Sequence, residues 1–129
     1  TIDGTSCSGK STLATVLSQH LGWLCLDSST FSDDLELEQM ISENENNGLV
    51  ITGRSMGRWV KNPLQRIWLD CDIAIRAERT NASPYEIELR DERDKQNQRL
   101  IEPDICSLIL DSSKATPEDL ANQILNRIS

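Results

Sequence analysis

The chain carries near its start the nine residues Gly4-Thr5-Ser6-Cys7-Ser8-Gly9-Lys10-Ser11-Thr12, which fit the pattern G-x-x-x-x-G-K-[ST]. They follow residues 1–3, a short stretch typical of a strand end, and they open an apolar-periodic stretch that begins at Leu13. Glycines at this spacing let backbone N–H groups curl around phosphate oxygens at the positive end of a helix. The segment therefore predicts a phosphate-binding loop between a strand and a helix, in a chain that binds a nucleoside triphosphate.

Two side chains of this loop have the chemistry to act on a triphosphate. Lys10 occupies the position from which a lysine reaches the β- and γ-phosphates, and Ser11 occupies the position from which a hydroxyl ligates Mg²⁺. We therefore predict that Lys10 is catalytic, that Ser11 binds the metal, and that all nine loop residues contact the nucleotide.

Composition restricts the size of the protein and the class of its partners. With 129 residues the chain has room for about one domain with a single core. A formal net charge of −8 argues against a nucleic-acid partner, because binding to a phosphate backbone relies on clustered lysine and arginine. The four cysteines form no C-x-x-C pair, which is typical of reduced thiols in the cytosol. We expect small-molecule nucleotide substrates.

The sequence contains no signal for a membrane. No stretch approaches the roughly 18 consecutive apolar residues of a membrane-spanning helix, and no basic segment followed by an apolar one stands at the start. We therefore expect a cytoplasmic protein with neither a membrane span nor a secretion signal. We also expect a monomer. The chain begins at Thr1 with only the tail of a first strand, which leads us to expect that some N-terminal residues have been lost or left out.

Short apolar runs alternate with helical patterns along the chain. The apolar runs cover residues 1–3, 23–27, 49–52, 66–70 and 107–111, and each ends in a polar residue. Runs of this kind are typical of strands buried on both faces of a parallel sheet. The helical patterns cover residues 10–21, 34 to about 45, 72–79, 84 to about 101, and 117–128. The alternation predicts a three-layer α/β fold with a parallel sheet of about five strands flanked by helices.

The polar residues that end the five runs share one expected location. Parallel sheets of this class bind ligands beyond the carboxyl ends of their strands. We therefore predict an active face at the rim formed by Asp3, Asp27, Thr52, Asp70 and Asp111.

With these elements placed, the chain resembles the cytidylate kinases, a branch of the nucleoside monophosphate kinases. The resemblance runs nearly end to end. Ile2-Asp3-Gly4 is similar to the family's I-D-G, and residues 21–29 are similar to its L-G-W-x-x-L-D-[ST]-G. Residues 53–57 resemble G-R-D-[MI]-G, residues 90–94 match R-D-x-x-D, and residues 110–113 fit the closing I-D-[ST]-[ST].

The resemblance implies a P-loop kinase fold, the transfer of the γ-phosphoryl group of ATP to CMP or dCMP, and the cofactors ATP and Mg²⁺. It implies that Arg76 and Arg79 belong to a lid that neutralises the transferring phosphoryl group. It also implies that Arg54, Arg90 and Asp94 hold the acceptor, and that Asp27 lies near the phosphates or their metal. Two further positions are assigned to the acceptor side, Ser55 and Arg99.

The chain also departs from the family's pattern. Thr52 stands where a carboxylate is usual, Ser55 replaces the aspartate of G-R-D, and Phe31-Ser32 stands where Y-R is common. Arg99 lies two residues beyond the expected second arginine. We expect one domain over residues 1–129, in which the acceptor-binding insertion near 31–34 and the lid near 79–84 are short or missing.

The residues leave alternatives open. Arg54 also suits a strand-end arginine paired with an acid, and Arg76 and Arg79 also suit solvated arginines. Arg90 and Asp94 also suit a surface ion pair at i,i+4 spacing. The alternatives for the whole chain are a P-loop kinase that acts on a different small-molecule acceptor and a non-catalytic ATP-binding sensor.

Overall fold

A single parallel sheet forms the centre of the protein. The computed structural model describes residues 1–5, 7–53, 56, 60–61, 63–96 and 105–128. In this part of the chain the strands are β1 (Ile2–Gly4), β2 (Leu24–Asp27), β3 (Leu49–Gly53), β4 (Ile67–Asp70) and β5 (Leu108–Asp111). They pair in the order β2-β3-β1-β4-β5, and every pairing is parallel. The parallel five-stranded sheet predicted from the apolar runs is confirmed.

The helices lie between the strands in the chain. They are α1 (Lys10–Leu21), α2 (Asp34–Asn44), α3 (Ile73–Thr80), α4 (Pro84–Gln96) and α5 (Pro117–Ile128), with 3₁₀ turns at Ser28–Thr30 and Glu45–Asn47. α1 and α5 have the predicted bounds. α3 begins one residue later than predicted, because Asp72 is its N-cap and has a non-helical backbone (φ −56°, ψ 139°). α4 is described as far as Gln96, so the rest of its predicted range lies outside the described residues.

The main core lies between one face of the sheet and the helices α1 and α5. Side chains alternate between the two faces of a strand, so Ile67 and Leu69 of β4 face this core while Trp68 faces the other side. A second cluster packs α2 against the opposite face of β3 through Leu37 and Ile51. Each fully buried aliphatic side chain stabilises the fold by about 1.5–3 kcal/mol. The three predicted layers are therefore present.

The carboxyl ends of the strands meet at one rim. Asp27 of β2 pairs with Thr52 of β3, and Asp70 of β4 pairs with Asp111 of β5. Asp3 of β1 lies between them in register with Gly53 and Trp68. The prediction that these polar residues share one rim is confirmed.

Among the helices of the described residues, none has the length and apolar character needed to cross a lipid bilayer.

Candidate nucleotide-binding site

The loop between β1 and α1 is tightly curled. Gly9 and Cys7 have left-handed backbones, with φ of 96° and 65°. The loop also lies close to β4, since a Cβ atom on Gly4 would stand 2.4 Å from the carbonyl oxygen of Leu69. Glycine is the residue that permits such an approach. Ser6, predicted to bind the nucleotide, lies outside the described residues.

The start of α1 is suited to an anionic ligand. Its N-cap Gly9 offers no side-chain acceptor, and its first turn contains no acidic residue. By contrast, Asp33 caps α2 through its carboxylate, which accepts from the backbone N–H of Leu35. The first N–H groups of a helix need external acceptors, and the helix dipole makes phosphate a favourable one.

Several polar groups of the loop have bonding capacity suited to a triphosphate. Lys10 Nζ donates to the carbonyl of Thr5 over 2.8 Å, which folds the ammonium group back over the loop. The buried hydroxyls of Thr5 and Ser8 have no hydrogen-bond partner among the described residues. Buried hydroxyls without partners are costly, and a polar ligand in the loop would satisfy them.

Ser11 and Asp27 form a pair that suits Mg²⁺. The Ser11 hydroxyl donates to Asp27 Oδ2 over 2.9 Å, and Ser29 donates to Oδ1 through its backbone N–H (2.9 Å) and its hydroxyl (2.7 Å). Burial favours a higher pKa for Asp27, but the hydrogen bonds from Ser29 and Ser11 and the charge of Lys10 outweigh it, so the pKa lies below its ordinary value of 3.8. Asp27 is therefore ionised at neutral pH. A carboxylate beside a hydroxyl provides the oxygen ligands that Mg²⁺ prefers.

Asp3 and Thr52 form the floor of the site. Asp3 is fully buried, and its Oδ1 accepts from the backbone N–H of Met56 over 2.6 Å. This bond fixes the chain just after β3. Thr52 is also buried, at 1% exposure, in register with Asp27. The carboxylates of this part of the rim thus come from Asp3 and Asp27, while position 52 supplies none.

The two arginines assigned to the lid lie in different environments. Arg79 is exposed and reaches the loop, where Nη1 donates to the Cys7 carbonyl (3.3 Å) and Nη2 donates to the Ser112 carbonyl (3.1 Å). Arg76 is buried and forms a forked ion pair with Asp91 of α4, in which Nη1 donates to Oδ2 over 2.8 Å and Nη2 donates to Oδ1. The catalytic role predicted for Arg76 stays a prediction. Its guanidinium joins α3 to α4, and of the two arginines Arg79 is the one at the loop.

The acceptor residues are brought together only in part. On α4, Ile87 and Asp94 are buried, whereas Arg90 is exposed. Asp94 thus belongs to the inner side of the helix, and its joint action with Arg90 on an acceptor stays a prediction. Three other residues predicted on this side lie outside the described residues, namely Arg54, Ser55 and Arg99.

A cavity of about 400 Å³ lies beside the loop. Its lining includes Gly9 and Thr12 of the loop and α1, Arg79 of α3, and Pro117 at the start of α5. Its size and mixed apolar and polar lining are typical of small-ligand sites.

Sequence reasoning missed one residue of this site. Ser112 is buried, at 6% exposure, and its hydroxyl donates to the loop carbonyl of Ser8 over 2.6 Å. It also accepts from Arg79 Nη1 over 3.3 Å. The sequence signal that could have indicated Ser112 is the closing motif at residues 110–113, which contains it. No role was predicted for Ser112 from that motif.

No protein-family model matches the sequence, and no curated protein sequence matches it. Solved structures do match. A protein described as uncharacterized from Eubacterium ventriosum aligns with 98% of this chain and 95% of its own, with a TM-score of 0.70 and 14% identity. Shikimate kinase from Acinetobacter baumannii, in complex with shikimate, covers 98% of this chain and 90% of its own, with a TM-score of 0.58 and 20% identity. Thymidylate kinase from Candida albicans aligns over 98% of this chain and 88% of the kinase chain, with a TM-score of 0.60 and 16% identity.

Identities of this size show the fold alone. The protein has the P-loop kinase fold, and its loop begins at the carboxyl end of β1, on the side where open parallel sheets bind ligands. These similar structures include both a shikimate kinase and a thymidylate kinase, so the likeness of fold does not distinguish between acceptors.

Proposed function

We propose that this protein is an ATP-dependent kinase of the nucleoside monophosphate class that phosphorylates CMP or dCMP, acting as a cytoplasmic monomer. The observation that carries a kinase function is the convergence of Lys10, the Ser11–Asp27 pair and Arg79 on one curled loop. The choice of acceptor is supported by the five segments that resemble cytidylate kinases.

The donor fits the described site. Loop N–H groups and Lys10 would hold the β- and γ-phosphates, and the nucleotide base would enter the cavity between Thr12, Arg79 and Pro117. Ser11 and Asp27 would hold Mg²⁺, which supplies positive charge that neutralises the phosphate oxygens when it is bound.

Phosphoryl transfer asks little covalent chemistry of the protein. An oxygen of the acceptor phosphate forms a bond to the γ-phosphorus of ATP while the bond to the β,γ-bridging oxygen breaks, and ADP leaves. Positive charge around the transferring group and correct positioning lower the barrier. Lys10 and Arg79 would supply that charge, because both already donate hydrogen bonds to loop carbonyls.

A second candidate function is a kinase for an acceptor that carries no phosphate. The segment between β2 and β3, residues 28–48, contains no lysine, arginine or histidine. It contains six acidic residues: Asp33, Asp34, Glu36, Glu38, Glu43 and Glu45. Charged phosphate is held by cations, above all by arginine. This acidic segment therefore favours a neutral or cationic alcohol if the acceptor lies against it.

A coupled ADP-release assay with Mg²⁺-ATP distinguishes these functions. The acceptors are CMP, dCMP, UMP and AMP, followed by the corresponding nucleosides and unrelated alcohols. Turnover confined to cytidine monophosphates supports the proposal, turnover on nucleosides or alcohols alone supports the second candidate, and ATP binding without any turnover indicates a sensor.

Lys10→Ala tests the role of the loop. We expect this variant to lose at least about 100-fold in kcat/KM, since it removes a charge at the transferring group. Lys95→Ala is the matched control, because it removes an exposed lysine from α4. Near-full turnover by Lys10→Ala would refute the assignment.

A further inference from the structure

Ser112 joins the phosphate loop to Arg79 through one hydroxyl group. Its single proton is donated to the Ser8 carbonyl over 2.6 Å, so the same oxygen is left to accept from Arg79 Nη1 over 3.3 Å. The Ser112 carbonyl accepts from Arg79 Nη2 over 3.1 Å. Ser112 thus fixes both a loop residue and two nitrogens of the guanidinium group.

The sheet holds Ser112 itself in place. Its backbone N–H donates to the Asp70 carbonyl over 2.8 Å, which continues the contact between β4 and β5 by one residue. The next residue, Ser113, accepts from the backbone N–H of Asp72 through its hydroxyl over 2.7 Å. Ser112 is therefore attached by hydrogen bonds to the carboxyl ends of two paired strands.

We propose that Ser112 is a positioning residue for phosphoryl transfer, which keeps Arg79 and the Ser8 segment of the loop in the relative arrangement that the transferring phosphoryl group needs. This inference rests on the proposed function. Ser112 acts through the loop and through Arg79.

The expected effect follows from what each bond holds. In Ser112→Ala the Ser8 carbonyl loses its buried donor, and Arg79 keeps only carbonyl partners in this region, so the guanidinium can rotate about them. Misplacement of a charged group by about 1 Å can lower a rate by about 100-fold. We expect kcat to fall by about 10- to 100-fold. The dissociation constant for ATP should change by less than about 3-fold, because Lys10 and Ser11 are left in place.

The test compares five variants with the wild type in kcat, in KM for the acceptor, and in ATP affinity: Ser112→Ala, Ser112→Thr, a serine control, Arg79→Met, and Arg79→Met combined with Ser112→Ala. Ser112→Thr retains the hydroxyl and should restore most of kcat. Ser42→Ala is the matched control, because it removes an exposed serine hydroxyl from α2 and should leave kcat unchanged. In an Arg79→Met background, Ser112→Ala should lower kcat by less than about 3-fold, because the group that it positions is already absent.

Each outcome supports or overturns the inference. Two outcomes in a protein whose wild type is active would overturn the inference and leave the proposed function intact. One is a Ser112→Ala variant with the kcat of the wild type. The other is a loss of kcat from Ser112→Ala that is equally large in the Arg79→Met background. Failure of Ser112→Thr to restore kcat would also overturn it if that variant has the thermal stability of the wild type. A wild-type protein that transfers phosphate to no acceptor would overturn the proposed function and this inference together.

Discussion

The ion pair between Arg76 and Asp91 gives the sharpest prediction for stability. The side chain of Arg76 is 5% exposed and that of Asp91 is 19% exposed, and the guanidinium group binds both carboxylate oxygens. Asp91→Asn keeps the shape of the side chain but removes its charge. The variant therefore leaves the buried guanidinium group of Arg76 facing a neutral amide in place of this carboxylate.

The magnitude follows from the burial of the pair. Removing one partner of a buried ion pair costs about 3–5 kcal/mol, because the remaining charge has lost its compensation. Since part of Asp91 is exposed and water can reach the vacated position, we expect the lower end, about 3 kcal/mol. For a domain of this size such a loss lowers the Tm by roughly 10 °C.

Urea unfolding followed by circular dichroism at pH 7 measures the change. Glu92→Gln is the matched control, because it removes an exposed carboxylate one position along α4 and should change stability by less than about 0.5 kcal/mol. The double variant Arg76→Met/Asp91→Leu should recover most of the loss, since an apolar pair leaves no buried charge. If Asp91→Asn is as stable as Glu92→Gln, the pair does not hold the two helices together as we argue.

Three further predictions concern Gly4 of the phosphate loop and the carboxylate of Asp27. Gly4→Ala should cost about 1–3 kcal/mol and weaken ATP binding, because its Cβ would stand 2.4 Å from the Leu69 carbonyl; thermal shifts with and without Mg²⁺-ATP measure both. Asp27 should stabilise the fold above its ordinary pKa of 3.8 and lose that contribution as the pH falls through its lower folded pKa. Urea unfolding at pH 7, 5 and 3 should therefore show less acid sensitivity in Asp27→Asn. The same variant should bind ATP more tightly than wild type in EDTA but more weakly with Mg²⁺, and calorimetry that finds no such crossover would refute the metal role.

Much of the fold could be predicted because its signals are local. Apolar runs that end in a polar residue indicated the five strands seen in the described residues, and the glycine-rich pattern located the loop and the start of α1. The order of the strands could not be predicted in this way, because it depends on which runs pair across the chain. The predicted start of α3 was wrong by one residue, since the pattern of apolar residues does not indicate the backbone geometry of Asp72.

The site was less predictable than the fold because its contacts are long-range. Ser112 and Ser8 are 104 residues apart in the chain, and Arg76 and Asp91 are 15 apart. Nothing in the spacing of Arg76 and Arg79 distinguishes an arginine that faces α4 from one that faces the loop. That difference arises only when α4 packs against α3 and brings Asp91 to one of them.

The partners of the two arginines, more than their positions, separate their roles. Arg79 donates to carbonyl groups and to a hydroxyl group at the loop, all of them neutral acceptors. Phosphate oxygens can replace such acceptors with a net gain, because they carry negative charge and accept from the guanidinium fork bidentately. Arg76 would have to leave a partly buried carboxylate that binds it through both oxygens, which costs several kcal/mol before any ligand is bound. In an acidic protein with a net charge of −8, an arginine held by carbonyls beside a glycine-rich loop is thus poised to exchange partners, whereas an arginine held by both oxygens of an aspartate is held more firmly where it is.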